Sequence, residues 1–184
     1  MSTNVILQPG VDKPKRKNNG MRFVQLALLV GIIAAIYFSF NGNVLSTTPG
    51  VPALIGEFSL SHVEVGDNAL EEIRAMYGED ITYAKAYVVH YKGNSGGLTL
   101  RIGEKREVAD AESAITNVVS GTEKGQKKDF SDVKRVNVGG TAVYSLKVKG
   151  MPYHLYQSGN RVMWVDIMEG DPNEVLADVI RNYK

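Results

Sequence analysis

Three histidines, His62, His90 and His154, are the side chains of this chain best suited to metal or haem chemistry. Imidazole nitrogen is a common ligand of zinc and of haem iron, so three imidazoles brought together by a fold would make a site. Their spacing contains neither H-E-x-x-H nor H-x-x-E-H, and no two of them are four residues apart. The sequence therefore predicts separate histidines, with no metal and no other cofactor.

Acidic and nucleophilic residues are the next candidates for catalysis. The acids that cluster around a predicted short helix are Glu71, Glu72, Glu79 and Asp80. Paired carboxylates can act as general acid and base, but solvated helix caps explain this cluster better. Ser145 and Ser158 lack the G-x-S-x-G elbow of serine hydrolases, and the chain has no cysteine. We therefore predict that the protein is not an enzyme.

Aromatic residues offer a possible binding surface. Tyr83, Tyr87 and Tyr91 recur at period two in ITYAKAYVVHY (81–91), so the pattern predicts that they share one face of a strand. Tyr156 and Trp164 follow in a later strand-rich region. Such residues either fill a core or line a groove for a partner or an apolar ligand. These five are the predicted groove residues.

Hydrophobic periodicity predicts the elements that position these side chains. Alternating patterns predict strands over 57–65, 81–91, 98–102, 133–138, 141–148, 153–157 and 161–167. Helical spacing predicts three helices, the first capped by an Asn68/Glu71 capping box and the second beginning at Asp110 and ending at Gly121. The third starts at DPNE (171–174). The predicted fold is α+β, with one antiparallel sheet covered by two or three helices.

An apolar stretch over residues 21–40 precedes this domain. At about 1.5 Å per residue its length suits a transmembrane helix, which needs roughly 20 apolar residues. Five Lys and Arg but only Asp12 among acids lie before or at its start, so the positive-inside rule places the N-terminus in the cytoplasm. A cleaved signal peptide is the alternative, although the basic tail and the apolar core are both longer than usual. We predict a single-pass protein of the cell membrane.

The resulting domain plan has four parts. Residues 1–20 form a disordered basic cytoplasmic tail, 21–40 the transmembrane helix, 41–55 a linker and 56–184 an extracytoplasmic α+β domain. Of the 21 Lys and Arg, 16 lie beyond residue 40, as do 19 of the 20 acids, so residues 41–184 carry a net charge of −3. This charge disfavours a nucleic-acid partner, and the lipid bilayer is the partner that the span implies.

Several short motifs accompany this plan. A capped helix ending in Tyr77 and Gly78 is followed by the tyrosine-rich strand, AESA (111–114), VGG (138–140) and SGNRVMWV (158–165). With the span, they resemble small single-pass prokaryotic membrane proteins that carry an uncharacterised extracytoplasmic α+β domain. The sheet with covering helices is also similar in layout to PsbP and Mog1-like domains, which implies binding or assembly and no particular reaction.

Two functions are consistent with these features. The leading prediction is a membrane-anchored interaction or assembly module, an accessory subunit of an envelope complex with an envelope protein as its partner. The alternative is an extracytoplasmic sensor or carrier that holds a small ligand in an aromatic-lined pocket.

Overall fold

The computed structural model describes residues 50–78, 81–94 and 96–183. Over these residues the chain forms eight strands and three helices. The strands are β1 (Leu54–Ile55), β2 (Phe58–Val65), β3 (Lys85–Lys92), β4 (Gly97–Glu104), β5 (Phe130–Val138), β6 (Thr141–Val148), β7 (Met151–Ser158) and β8 (Arg161–Ile167). The helices are α1 (Asp67–Tyr77), α2 (Val108–Glu123) and α3 (Pro172–Asn182).

All eight strands belong to one sheet in the order β1-β2-β3-β4-β8-β7-β6-β5, and every neighbouring pair is antiparallel. The predicted α+β domain with one antiparallel sheet and three helices is therefore confirmed. Two hairpin-connected halves meet where β4 pairs with β8, with Leu100 opposite Val165. The short strand β1 was not predicted, and the sheet begins at Leu54.

Both faces of the sheet are buried, because helices cover each side. One core layer joins α3 to side chains such as Leu100, Met163 and Val165. The other joins α1 and α2 to side chains such as Val88 and Trp164. Because successive residues of a strand point to opposite faces, the central strands supply both layers. Each large apolar side chain buried in this way contributes about 1.5–3 kcal/mol.

The sheet curls around α3. This helix contacts β1 and β5, the two edge strands, as well as the central strand β8. Eight strands spaced about 4.8 Å apart would span roughly 34 Å if flat, whereas an eleven-residue helix is only about 16 Å long. A flat sheet could not bring both edges to one short helix, so the curvature follows from these contacts.

The helix ends differ in part from the predictions. The Asn68/Glu71 capping box is wrong, because the N-cap of α1 is Gly66 and no side chain caps it. Gly66 has φ 73°, a left-handed conformation that glycine adopts without strain, and this turns the chain directly from β2 into α1. The amide of Gly66 instead donates to Ala86 O of β3 at 3.0 Å.

The second helix is longer than predicted, and the start of the third is confirmed. Helix α2 begins at Val108, before Asp110, and continues past Gly121 to Glu123. At the start of α3, Asp171 Oδ1 accepts a hydrogen bond from the Asn173 amide at 2.7 Å, and proline is the first helical residue. A cap of this kind contributes about 1 kcal/mol.

A β-bulge in β2 decides which residues face α1. The register with β3 shifts between Leu60 and His62, at the point where the sequence alternation also slips. Before the bulge, Phe58 and Leu60 belong to the α3 layer. After it, His62 pairs with His90 and Glu64 with Val88, on the α1 side of the sheet. Without the extra residue, His62 and Glu64 would share the face of Leu60.

The predicted tail (1–20), the transmembrane helix (21–40) and most of the linker lie outside the described residues. Within the described part of the chain, no helix is long and apolar enough to cross a membrane.

Candidate functional site

A groove of about 790 Å³ opens between the end of α1, residues 81–84 and one side of α2. Its volume lies within the usual range of small-molecule sites. We call it the aromatic groove and define it by three aromatic and three cationic lining residues. These are Tyr77, Tyr83, Trp164, Lys105, Arg106 and Lys127.

Two stacked rings form the buried part of the groove. Tyr77 is the last residue of α1 and Trp164 lies in the middle of β8, and their ring centroids are 3.7 Å apart with an interplanar angle of 14°. Phe130 and Tyr153 pack against this pair, at centroid distances of 6.2 Å from Trp164 and 6.2 Å from Tyr77. Each aromatic contact adds about 0.5–1.5 kcal/mol beyond the burial of its surface, so the stacked pair is held in a fixed position. We call this pair, together with Tyr83, the aromatic wall of the groove.

The groove also contains buried polar atoms without partners. Tyr77 Oη and Trp164 Nε1 make no hydrogen bond of normal geometry with any described residue. Burial raises the pKa of Tyr77 well above its usual value and that of Tyr83 to about 12. The indole of Trp164 partly opposes the rise in the pKa of Tyr83. The two side chains nevertheless make no hydrogen bond of normal geometry. Both phenols therefore stay protonated at neutral pH.

Positive charge surrounds the aromatic wall. Lys105 Nζ donates to Thr82 O and lies 4.9 Å from the centroid of the Tyr83 ring. Lys127 Nζ lies 5.5 Å from the centroid of the Phe130 ring. Among the ion pairs of the described residues, none involves Lys105, Arg106 or Lys127.

Asp110 is the only acid among the described lining residues, against these three cations. The described lining is therefore net positive, and it also lacks histidine.

Two of the five predicted groove residues lie in the aromatic groove. Tyr83 and Trp164 line it, whereas Tyr87, Tyr91 and Tyr156 lie on the other side of the sheet, in the α3 layer. Tyr87 and Tyr91 share a strand face as predicted, but Tyr83 does not share it. Strand β3 begins only at Lys85, so the period-two pattern does not extend to Tyr83, which packs towards α1 and α2.

The tyrosines of the α3 layer have other surroundings. Tyr91 Oη donates to Pro52 O at 2.9 Å and lies 2.9 Å from Tyr183 Oη. Tyr156 and Tyr183 line a separate cavity of about 240 Å³. Tyr91 thus ties the segment before β1 to the end of α3, which is a structural role.

A second group of polar side chains lies where β2, α1 and β3 meet. One carboxylate oxygen of Glu64, one of Glu72 and one ring nitrogen of His90 lie within 4.8 Å of one another. Arg101 Nε donates to Glu72 Oε1 at 2.8 Å, and His90 Nδ1 lies 3.2 Å from Thr99 Oγ1. We call Glu64, Glu72 and His90 the β2–α1 cluster. None of its members lines the aromatic groove.

The three histidines do not meet. The rings of His62 and His90 stack at a centroid distance of 6.1 Å, but His154 Nδ1 lies 3.0 Å from Ser145 Oγ on the opposite face of the sheet. This serine–histidine pair lacks an orienting acid, since no described carboxylate bonds to His154. Burial lowers the pKa of His154, which keeps the ring neutral at pH 7.

Sequence reasoning missed the cationic residues of the groove and Glu64 of the β2–α1 cluster, and it interpreted Glu72 as part of a solvated helix end. Lys105, Arg106 and Lys127 come from the segments on either side of α2, and no periodic pattern marks them. Glu64 was missed because its place on the face of Glu72 depends on the bulge between Leu60 and His62. Of the other acids in the predicted cluster, Glu71 is exposed on α1, and Glu79 and Asp80 are outside the described residues.

Comparison with protein-family models, curated proteins and solved structures finds no match to this chain. The resemblance to single-pass prokaryotic membrane proteins and the layout similarity to PsbP and Mog1-like domains therefore stay predictions. Function has to be argued from the groove itself.

Proposed function

We propose that this protein is a ligand-binding module whose aromatic groove holds a small organic anion with a flat ring. The observation that carries the proposal is the groove of about 790 Å³ that combines stacked aromatic rings with three cations. This is the sensor or carrier function that the sequence suggested as the alternative. The accessory-subunit prediction rests on the apolar span and on the lack of a catalytic motif.

The charge of the groove supports an anionic ligand. Lys105 and Lys127 are both half-buried. Neither forms an ion pair with a carboxylate of the described residues, so each ammonium group gains from a bound anion. A hydrogen bond to a charged group is worth about 1.5–3 kcal/mol. The hydrogen bond from Lys105 to Thr82 O and its position over Tyr83 hold one ammonium group in place before the ligand arrives.

The aromatic wall supports a flat ring in the same ligand. Tyr83 is half-buried and lines the groove, so a planar group can pack beside its ring while the ammonium groups meet the charge. Tyr77 and Trp164 lie behind this ring, and their stack keeps the inner side of the groove apolar. The groove would thus recognise the planar group of the ligand through the Tyr83 ring and its negative charge through the ammonium groups.

Binding fits this lining better than catalysis. Thr82 and Ser113 are the aliphatic hydroxyl side chains among the described lining residues, and no histidine accompanies them there to take a proton. From the sequence we retain the proposal that the module is tethered by a single span in the cell membrane, with its domain outside the cytoplasm. A neighbouring envelope protein would then receive or respond to the ligand, and no nucleic acid is involved.

The test uses Trp164, which is the sole tryptophan of the chain. Its fluorescence in the full-length protein, reconstituted in nanodiscs, should be quenched saturably by 4-nitrobenzoate, a flat organic anion. Neutral 4-nitrobenzyl alcohol should bind at least about tenfold more weakly, since one charged hydrogen bond is lost. Native mass spectrometry of protein extracted gently from its own membrane should also show a retained small adduct.

Three variants make the test specific. Ala114→Phe fills the groove and should abolish quenching and the adduct, because Ala114 lines it. Lys127→Gln should remove most of the preference for the anion, whereas Lys134→Gln, on exposed β5, should leave it unchanged. Equal binding of 4-nitrobenzoate and 4-nitrobenzyl alcohol, or unchanged binding by Ala114→Phe, would refute the proposal. A heteromeric complex with no small adduct would favour the accessory-subunit function instead.

A further inference from the structure

We infer that the β2–α1 cluster is a binding site for a divalent transition-metal ion of the Zn²⁺ type. Glu64, Glu72 and His90 present two oxygen ligands and one nitrogen ligand within 4.8 Å of one another. Zinc binds such atoms at about 2.0–2.2 Å, which places tetrahedral ligands roughly 3.4 Å apart. Side-chain movements of about 1 Å, within the reach of two flexible glutamates, would close the three ligands around an ion.

Three elements bring these ligands together, and the bulge is essential. After the register shift between Leu60 and His62, Glu64 points to the side of the sheet that α1 covers. Helix α1 then carries Glu72 above this face, and β3 supplies His90 directly opposite His62. A regular β2 would place Glu64 on the α3 side, where it could not meet Glu72. The bulge therefore aims a potential ligand, as bulges beside functional sites commonly do.

Two hydrogen bonds to residues of β4 orient the candidate ligands Glu72 and His90. Arg101 is 9% exposed and its Nε donates to Glu72 Oε1 at 2.8 Å, which leaves Oε2 of Glu72 for a metal. The Nδ1 atom of His90 lies 3.2 Å from Thr99 Oγ1. Metal-binding carboxylates and imidazoles are usually oriented by second partners of this kind. Thr99 and Arg101 both lie on β4, so one strand positions two ligands.

The arrangement also predicts the class of metal and limits its affinity. Mixed carboxylate and imidazole ligands suit Zn²⁺, Mn²⁺ or Fe²⁺ better than Ca²⁺, which prefers oxygen ligands alone. The two carboxylates and the Arg101 guanidinium carry a summed formal charge of −1, which attracts a cation. Because Arg101 neutralises part of the charge on Glu72, the site should exchange its ion rather than hold it permanently.

An ion can reach the site from solvent. Glu64, Glu72 and His90 are each partly exposed. His62 is more exposed, with its Nε2 atom 3.5 Å from Glu64 Oε1 and its ring stacked on His90. A rotation of His62 would bring a fourth ligand to the ion, and water can complete the coordination.

Isothermal titration of ZnCl₂ into the full-length protein tests this inference. The protein is purified in detergent without a histidine tag, so that its own histidines are the only ones present. We expect one saturable Zn²⁺ per chain. Glu64→Gln and His90→Ala should each weaken binding by at least about tenfold. Loss of a residue that only supports a ligand already costs about 10–100-fold in affinity, and loss of the ligand itself should cost no less.

Matched variants provide the controls. Glu71→Gln changes an exposed acid on the same helix, and His154→Ala removes a histidine from the opposite face of the sheet. Both should bind Zn²⁺ like the unaltered protein. Circular dichroism checks that each variant is folded, and if His90→Ala does not fold, the isosteric Glu64→Gln decides. No saturable binding, or equal binding by Glu64→Gln and the controls, would overturn the metal site without affecting the proposal for the aromatic groove.

Discussion

Replacing Tyr77 with phenylalanine should stabilise the protein, although most changes in a core destabilise it. Tyr77 is 2% exposed, and its hydroxyl makes no hydrogen bond with any residue that the structure describes. The phenylalanine ring can keep the stack on Trp164, whose centroid lies 3.7 Å away. The substitution thus removes a buried polar atom and leaves the apolar contacts in place.

The size of the effect follows from the cost of that atom. A buried donor without a partner costs about 1–3 kcal/mol, and the small void left by one oxygen offsets part of the gain. We therefore expect Tyr77→Phe to raise the free energy of unfolding by about 1 kcal/mol. The matched control is Tyr91→Phe, because Tyr91 Oη bonds to Pro52 O and Tyr183 Oη, both at 2.9 Å. The same substitution there should lower the free energy of unfolding by about 1–3 kcal/mol.

Urea unfolding of the full-length protein, followed by circular dichroism, measures both changes. In a thermal scan, 1 kcal/mol corresponds to roughly 3–5 °C for a domain of this size. The two variants should therefore move the midpoint in opposite directions, an outcome that no general difference between tyrosine and phenylalanine would produce. Quenching by 4-nitrobenzoate should stay unchanged in Tyr77→Phe, because the hydroxyl is buried and does not contact the ligand.

A loss of stability in Tyr77→Phe similar to that in Tyr91→Phe would refute this reasoning. It would mean that the Tyr77 hydroxyl already has a partner in the folded protein.

Two further predictions concern packing and pH. Gly103→Ala would place a Cβ 2.1 Å from the Tyr83 ring, so we expect about 1–3 kcal/mol of destabilisation in urea. Gly121→Ala, inside α2 with no heavy atom closer than 3.6 Å, should stabilise by about 0.5–1 kcal/mol, and a similar loss in both would contradict the steric argument. Burial lowers the pKa of His154 below 6.5, so its contribution to stability is present above pH 6.5 and is lost as the pH falls through the lower folded pKa. Urea midpoints measured from pH 7.5 to 5 should fall less in His154→Gln, and an identical slope would count against a buried neutral histidine.

Local patterns were sufficient for most of the elements. Strands β6 and β8 have the predicted bounds, 141–148 and 161–167, because alternating apolar residues and glycine turns lie next to each other in the chain. The DPNE cap of α3 is equally local and was also correct. The predicted Asn68/Glu71 cap of α1 was wrong, because the helix start is set by the hydrogen bond from Gly66 to Ala86, and Ala86 belongs to a strand that comes later in the chain.

The candidate sites depend on which distant segments meet. The aromatic groove joins Tyr77, Tyr83, Lys127 and Trp164, which span almost ninety residues. Their meeting requires β4 to pair with β8, which no local pattern specifies. Tyr83 was expected to lie beside Tyr87, but β3 begins after it. The pattern alone could therefore not distinguish the three tyrosines of the α3 layer from Tyr83 and Trp164, which line the groove.

By itself, the sequence determined the α+β class, the positions of the helices and most of the strands, because hydrophobic periods and turn residues act over a few neighbouring positions. Only the tertiary structure decided which side chains share a site. One extra residue in β2 moves Glu64 to the face of His90, and the strand order brings cations from both ends of α2 to the groove that Trp164 lines. Such contacts depend on the packing of the whole sheet, so residues close in the chain can lie on opposite faces while distant ones touch.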